Sequence, residues 1–314
     1  MDKVLVTGGA GFIGSNIVGA LVERGYYVTA YDNLVTGKLE NIREFMKNEN
    51  FTFVQGDVLE YKKLINEMNG VDYVLHQAAL PSVSRSVLDP ATTDRINVGG
   101  TINVLLAAKE VGVKKVVIAS SSSVYGNTPK LPKQETMLYN PLSPYAVSKV
   151  ATELYAEVFS KLYDVSTVCL RYFNVYGPKQ DPTGEYAAVV PKFIMSALKG
   201  EPLTIYGDGS QTRDFTFVED VVQANILAMK SDAEGNYNIA YGKSVSIQEL
   251  AEKIIKLTFS KSKIIYLDPR PGDIRHSLAD ISKAMRDLGY SPRYDLNSGL
   301  IKTIEWFNKM ICKS

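Results

Sequence analysis

Residues Thr7-Gly8-Gly9-Ala10-Gly11-Phe12-Ile13-Gly14 join a short apolar run, Lys3–Thr7, to an amphipathic stretch at Gly11–Arg24. Glycines at 8, 11 and 14 between a strand and a helix restrict what such a chain can build. Gly8 permits a tight turn, Gly11 lets backbone N–H groups approach a pyrophosphate at the positive end of the helix, and Gly14 allows close helix packing. An acid, Asp32, follows at the end of the second strand-like run, Tyr27–Tyr31. A carboxylate there accepts hydrogen bonds from ribose hydroxyls and repels a 2′-phosphate, which predicts NAD rather than NADP.

The rhythm of the first half agrees with that cradle. Apolar runs at Thr52–Gln55, Tyr73–Leu75, Lys115–Ala119 and Ser166–Leu170 are hydrophobic on both faces, as strands of a parallel sheet sandwiched by helices must be. Between the strands lie helical patterns near Lys38–Lys47, Tyr61–Glu67, Thr92–Glu110 and Ser143–Leu162. The expected fold is α/β, a doubly wound Rossmann-type parallel sheet over residues 1–172, with a smaller, interleaved α/β substrate-binding domain over 173–314. Tyr237–Ala240 reads as a strand returning to the first sheet, within a return near 214–240. Two further loops at the carboxyl ends of strands suit a cofactor: Gly56-Asp57-Val58, whose carboxylate would hold the adenine amine, and Gln77-Ala78-Ala79-Leu80, whose small residues leave room.

Tyr145 and Lys149 stand four residues apart on one predicted helix face, with Pro144 at its start. A phenol near its ordinary pKa of 10 is a poor base at neutral pH, and a neighbouring ammonium is expected to favour its phenolate. The pair then works as a general acid/base. Ser120-Ser121-Ser122-Ser123, after the fifth strand, supplies a hydroxyl to bridge phenol and substrate.

Composition excludes several alternatives. Lys plus Arg is 35 and Asp plus Glu is 34, a net charge of +1, so there is no global attraction to nucleic acid. No apolar run reaches the roughly 18 residues of a membrane span, and the N-terminal residues carry no secretory pattern. Cys169 and Cys312 form no ligand spacing or disulfide framework, and His76 and His276 are too few for a His-rich metal site. A cytoplasmic protein without a metal is expected.

Together TGGAGFIG, Asp32, SSSSVYG, YAVSK and RYFNVYG resemble the extended short-chain dehydrogenase/reductase family of nucleotide-sugar enzymes. Within it, LSPYAVSK, LRYFNVYGPKQDP, GDGSQTRDF and RPGDIRHSLADISKA are most similar to UDP-N-acetylhexosamine 4-epimerases related to UDP-galactose 4-epimerase. The resemblance implies a UDP-sugar substrate, tightly held NAD and a homodimer built on a four-helix contact. It implies Tyr145 as acid/base, Lys149 as holder of the nicotinamide ribose and Ser121 as the hydroxyl meeting the sugar 4-oxygen, with Ser122 the less favoured choice. It adds Phe12, Ile13, Asn33, Gly37, Asn97 and Tyr172 to the cofactor contacts. To the substrate it assigns Asn174, Tyr206, Arg213, Arg270 and Asp273, arginine being suited to phosphate by its bidentate fork.

Related dehydratases carry Asp-Glu, and decarboxylases a Glu, before the Val-Tyr-Gly, where this chain has Ser122 and Ser123. Epimerisation through a transient 4-keto sugar is the expected reaction. The family's gate beside the sugar 2-substituent aligns with Ser277, whose small side chain leaves space for an acetamido group. UDP-N-acetylglucosamine and UDP-N-acetylgalactosamine are the expected pair, extending to UDP-glucose and UDP-galactose. A UDP-uronic acid 4-epimerase and a non-catalytic NAD-sensing protein stand as alternatives.

Overall fold

The computed structural model describes residues 1–183, 187–269 and 274–312. Six parallel strands, β1 (Lys3–Thr7), β2 (Tyr27–Asp32), β3 (Phe51–Gln55), β4 (Tyr73–His76), β5 (Lys115–Ser121) and β6 (Thr167–Tyr172), form the first part of a sheet. A seventh, Gly235–Ile239, pairs parallel with β6 and closes the order as 3-2-1-4-5-6 followed by this strand. Every pairing is parallel, Leu5 lying against Thr29 on one side and Val74 on the other. The doubly wound sheet is thus the fold. Its order reverses between β1 and β4, where such sheets bind ligands beyond their carboxyl ends.

Both sheet faces are buried, so the strands need apolar residues throughout. On one face, helices α1 (Phe12–Glu23) and α8 (Val218–Lys230) cover Val4, Val6, Leu75 and Val117 with Ile17, Leu21, Val221 and Ala228. On the other, α2 (Tyr61–Met68), α5 (Gly100–Val111) and α6 (Pro144–Tyr163) bring Leu64, Val104, Leu105 and Phe159 against Leu5, Val74 and Ile118. A third apolar cluster lies outside the sheet. It gathers α7 (Val189–Lys199), α9 (Ile247–Leu257) and α11 (Leu296–Ile311) around Ile194, Leu203, Leu250, Ile254, Leu300 and Phe307. Three two-stranded pairings accompany it: Val175–Tyr176 with Thr216–Phe217, Leu203–Tyr206 with Ile264–Leu267, and Thr212–Asp214 with Ser244–Ser246. These short strands lack the long apolar signature of the main sheet, and the sequence pattern did not reveal them.

Two helical expectations change. Residues 38–47 form two 3₁₀ turns, Leu39–Asn41 and Arg43–Phe45, rather than one helix. The Lys38 N–H and the Asn41 amide both donate to the Ala10 carbonyl, which folds this stretch back over the glycine turn. The expected helix at Thr92–Glu110 is α4 (Pro90–Asp94), a π-helical turn at Arg95–Gly99, and α5. A helix not foreseen, α3 (Val83–Leu88), precedes them, and a short helix, α10 (Ser282–Leu288), leads to α11.

Candidate active site

The glycine turn is built as a cradle. Gly8 has φ +67°, and its carbonyl accepts a hydrogen bond from the Gly11 N–H. A Cβ on Gly8 would fall 2.8–2.9 Å from the backbone of Gln77 and Ala78, and one on Gly14 would fall 2.0 Å from the Gly8 oxygen. By contrast, a Cβ on Gly11 would meet only the Gly8 oxygen, at 3.1 Å, so the face above Gly11 is open. No side chain caps α1, and its first turn carries no acid, which leaves the N–H groups of Phe12 and Ile13 at the helix start without a competing side-chain acceptor. The side chains of both pack towards the third apolar cluster.

Asp32 ends β2 beside this face, buried at 7% exposure. Its carboxylate accepts from the N–H groups of Ala10 and Leu34, and a Cβ on Gly37 would lie 2.7 Å from it. Burial pushes the carboxyl up, against these backbone donors, which pull it down. The Gly11 N–H also pulls it down, and a carboxylate has about four lone-pair sites, so accepting capacity remains. An open face over uncapped helical N–H groups, with a carboxylate at the neighbouring strand end, fits a dinucleotide's pyrophosphate and ribose diol. The Asn33 amide donates to Asp57, whose other oxygen accepts the Leu59 N–H, while Val58 is a core residue packed near Gly100. Gln77 donates to Asn225 and accepts from the Tyr172 hydroxyl. The Ala78 N–H donates to Thr7, and Ala79 follows it in the half-buried loop.

The π-helical turn explains Asn97. The extra residue in that turn rotates its buried amide to accept from the Leu80 N–H at 2.8 Å and to donate to the Ser148 hydroxyl at 3.0 Å. Asn97 thereby ties the loop after β4 to helix α6.

Helix α6 begins at Pro144, with the Ser143 hydroxyl accepting from the Ala146 N–H. That cap aims Tyr145 and Lys149 into the sheet's carboxyl end, both buried. The Lys149 ammonium donates to the Ala119 carbonyl at 2.7 Å and lies 5.9 Å from the centre of the Tyr145 ring. Burial raises the Tyr145 phenol, opposed by hydrogen bonding with Ser121. Burial also lowers Lys149 to about 8. The expected lowering of the phenol by the ammonium is therefore not what the chain alone produces: burial raises the phenol, and the hydrogen bond with Ser121 is what opposes the rise.

The serine run divides by strand alternation. Ser120 faces the core and donates to Glu153. Ser121 caps the 3₁₀ turn Ser122–Tyr125 by accepting the Ser123 N–H, and stands beside Tyr145. Ser122 is half-buried, and the Ser123 hydroxyl is buried without a protein partner.

On the substrate side, Asn174 is exposed after β6 with φ +31°, a conformation that asparagine tolerates. Tyr206 ends the strand Leu203–Tyr206, and Arg213 donates to the carbonyls of Thr212 and Arg275. Ser277 is buried and its N–H donates to the Thr212 carbonyl, which brings it near Arg213 in the same strand segment. Arg270 and Asp273 lie outside the described residues. Among the described residues no group of His, Cys, Asp and Glu could hold a metal. His76 is locked between Thr7 and Thr101, and burial lowers it to about 3.

Sequence reasoning passed over Glu153, Arg171 and Asn225. Arg171 is a buried charge near the end of an apolar strand, and Glu153 sits one helical turn beyond Lys149. Those two oddities were the available signals.

Residues 4–240 match the NAD dependent epimerase/dehydratase family. A UDP-glucose 4-epimerase of Mycolicibacterium smegmatis is 40% identical over 309 residues, covering 97% of this chain and 98% of that protein. A solved UDP-N-acetylglucosamine 4-epimerase from Methanobrevibacter ruminantium M1, in complex with UDP-N-acetylmuramic acid, superposes with a TM-score of 0.95 at 44% identity, covering 98% and 99% of the two chains. A UDP-glucuronic acid 4-epimerase from Bacillus cereus, in complex with UDP-glucuronic acid and NAD, superposes at 0.91 with 34% identity and the same coverage. The chain belongs to the NAD dependent epimerase/dehydratase family, in its extended short-chain dehydrogenase/reductase form.

Proposed function

We propose that the chain is a UDP-sugar 4-epimerase that interconverts UDP-N-acetylglucosamine and UDP-N-acetylgalactosamine and also accepts the non-acetylated pair. The observation that carries this reading is the meeting of Tyr145, Ser121 and Lys149 at the carboxyl end of the sheet, beside the glycine cradle, with serines where elimination or decarboxylation would call for carboxylates. Similarity to epimerases of three different UDP-sugars supports the reaction class. Ser277 supports the acetylated pair, since a small buried side chain leaves space beside a 2-acetamido group.

Bound NAD supplies the hydride acceptor and donor at the sugar's carbon 4 and, when oxidised, a positive charge that favours the phenolate. Tyr145 takes the 4-hydroxyl proton, with Ser121 hydrogen-bonded to both oxygens, and later returns it to the 4-oxygen after the ketone has turned its other face to the cofactor. Lys149 holds the nicotinamide ribose and adds its charge to the site. Asn174, Arg213, Arg270 and Asp273 hold the diphosphate and uridine, so the sugar turns without leaving.

We assign a homodimer as the working unit. Val147, Leu154, Val158 and Leu162 form an exposed apolar stripe on α6, and α5, which packs against it, exposes Leu106. Two copies of this helix pair make a four-helix contact. Among the described residues no helix is long and apolar enough to cross a membrane, and both cysteines, Cys169 and Cys312, are free thiols.

The deciding experiment incubates the purified NAD-loaded protein with a panel of UDP-sugars and separates products by chromatography. Interconversion of UDP-N-acetylglucosamine and UDP-N-acetylgalactosamine is expected. Turnover of UDP-glucuronic acid alone would move the reading to a uronic acid epimerase, and no turnover at all would overturn it.

A further inference from the structure

Directly beneath the site lies an ion pair that the reaction does not touch. Arg171 and Glu153 are 1% and 0% exposed at their side chains. Glu153 Oε1 accepts from Arg171 Nε at 2.9 Å and from the Ser120 hydroxyl, and Oε2 accepts from Arg171 Nη2 at 2.7 Å and the Tyr139 hydroxyl at 2.9 Å. Arg171 Nη1 donates to the Tyr125 hydroxyl at 2.7 Å, which donates to Asn238 at 2.6 Å. A buried ion pair is weak evidence for stability, because desolvation offsets most of the attraction and an apolar replacement often does as well. What distinguishes this pair is its neighbours. Ser120 precedes Ser121, Arg171 precedes Tyr172, and Glu153 follows Lys149 by one helical turn and Tyr145 by two.

We infer that Glu153, clamped by Arg171, is a positioning residue: through Ser120 it fixes Ser121 opposite Tyr145, and it sets a standing negative charge one helical turn from Lys149. This rests on the epimerase reading for its kinetic consequence. The groups around Lys149 leave Glu153 as the source of that charge. Tyr145 on the same helix is a phenol raised by burial. Cys169 on β6 is a thiol pushed well up by burial, and His76 on β4 is held neutral. Arg171, also on β6, is positive but bound to Glu153 through its fork. Burial drives the Lys149 ammonium towards its neutral form, and the Glu153 carboxylate opposes this.

The test uses the NAD-loaded enzyme. The Lys149 side chain is followed by NMR of ζ-¹⁵N-lysine protein, its signal assigned with Lys149→Arg, alongside kcat against pH. In Glu153→Gln the Lys149 titration midpoint is expected to fall by about one pH unit, with the alkaline limb of kcat moving down by the same amount. A midpoint that stays in place while thermal stability drops would reduce Glu153 to a packing role and overturn the electrostatic claim. Ser120→Ala, which removes one small buried hydroxyl, keeps the positioning claim open to refutation even if the glutamine variant does not fold. It is expected to lower kcat at least tenfold with KM unchanged and the Lys149 midpoint in place, and an unchanged kcat would overturn it. If the wild-type protein turns over no UDP-hexose, the epimerase reading fails on its own, and the NMR midpoint still decides the charge claim.

Discussion

Burial drives Tyr145 and Lys149 towards their neutral forms, so the chain alone holds a resting acid beside a weakened cation. Two consequences follow for single residues. Replacing Tyr145 with Phe removes the proton carrier but leaves the cradle intact. Turnover should fall by about 10²- to 10⁴-fold, while NAD stays bound, as product chromatography and the absorbance of the isolated protein would show. Lys149, lowered to about 8, is an ammonium below that pH and loses its proton above it. Turnover is therefore expected to decline as pH rises through about 8 in a rate profile. Ser277 governs size rather than charge. In Ser277→Tyr, kcat/KM for UDP-N-acetylglucosamine should drop by at least about tenfold relative to UDP-glucose, a steric penalty comparable to that of a misfitting group in a filled pocket. Equal losses on both sugars would remove Ser277 from the gate.

Elements carry a different kind of evidence. The carbonyl of Gly8 leaves no room for a methyl on Gly14, so Gly14→Ala must push α1 off the glycine turn. A loss of stability on the order of 2–3 kcal/mol and weaker NAD binding are expected, measurable by thermal melts and calorimetric titration. The parts of the fold legible in the sequence were those whose cause is local. Strands buried on both faces carry runs such as Val116-Val117-Ile118-Ala119, and helix α6 announces itself with Ser143-Pro144. The stretch from Lys38 to Lys47 looked helical, yet it is bent by a carbonyl at Ala10, and nothing in its own residues tells of that bond. The π-helical turn was hidden for the same reason, since the pull on Asn97 comes from Leu80 and Ser148. The serine run shows the limit most clearly. Four identical residues differ only in which partner meets them, and the partner of Ser120, Glu153, is 33 residues away.

At the scale of the whole molecule, two features reach beyond the element that carries them. Asp214 accepts from the N–H groups of Tyr241, Gly242 and Ala279, pinning the segment next to Arg213 to the loops after the seventh sheet strand and after Ser277. Burial raises its carboxyl from 3.8 to about 7 against those donors. The folded chain keeps a proton there that the unfolded chain has released, so this group's contribution to stability is greatest below about pH 4, falls as pH rises to about 7, and is constant beyond. Thermal melts across that range should show the decline in the wild type and a flatter curve in Asp214→Asn. The second feature is the apolar stripe of α6. The same helix points Tyr145, Lys149 and Glu153 inward and Leu154, Val158 and Leu162 outward, so an interface on the outer face would brace the inner one. Val158→Glu with Leu162→Glu places two like charges on the stripe of each copy, and across a two-fold contact they face one another. Sedimentation is expected to show a dimer for the wild type and a monomer for the double variant, with helix content unchanged by circular dichroism. Because the inner face keeps its own packing against the sheet, the monomer should still bind NAD. If the variant sediments like the wild type, the stripe is not the seam between subunits.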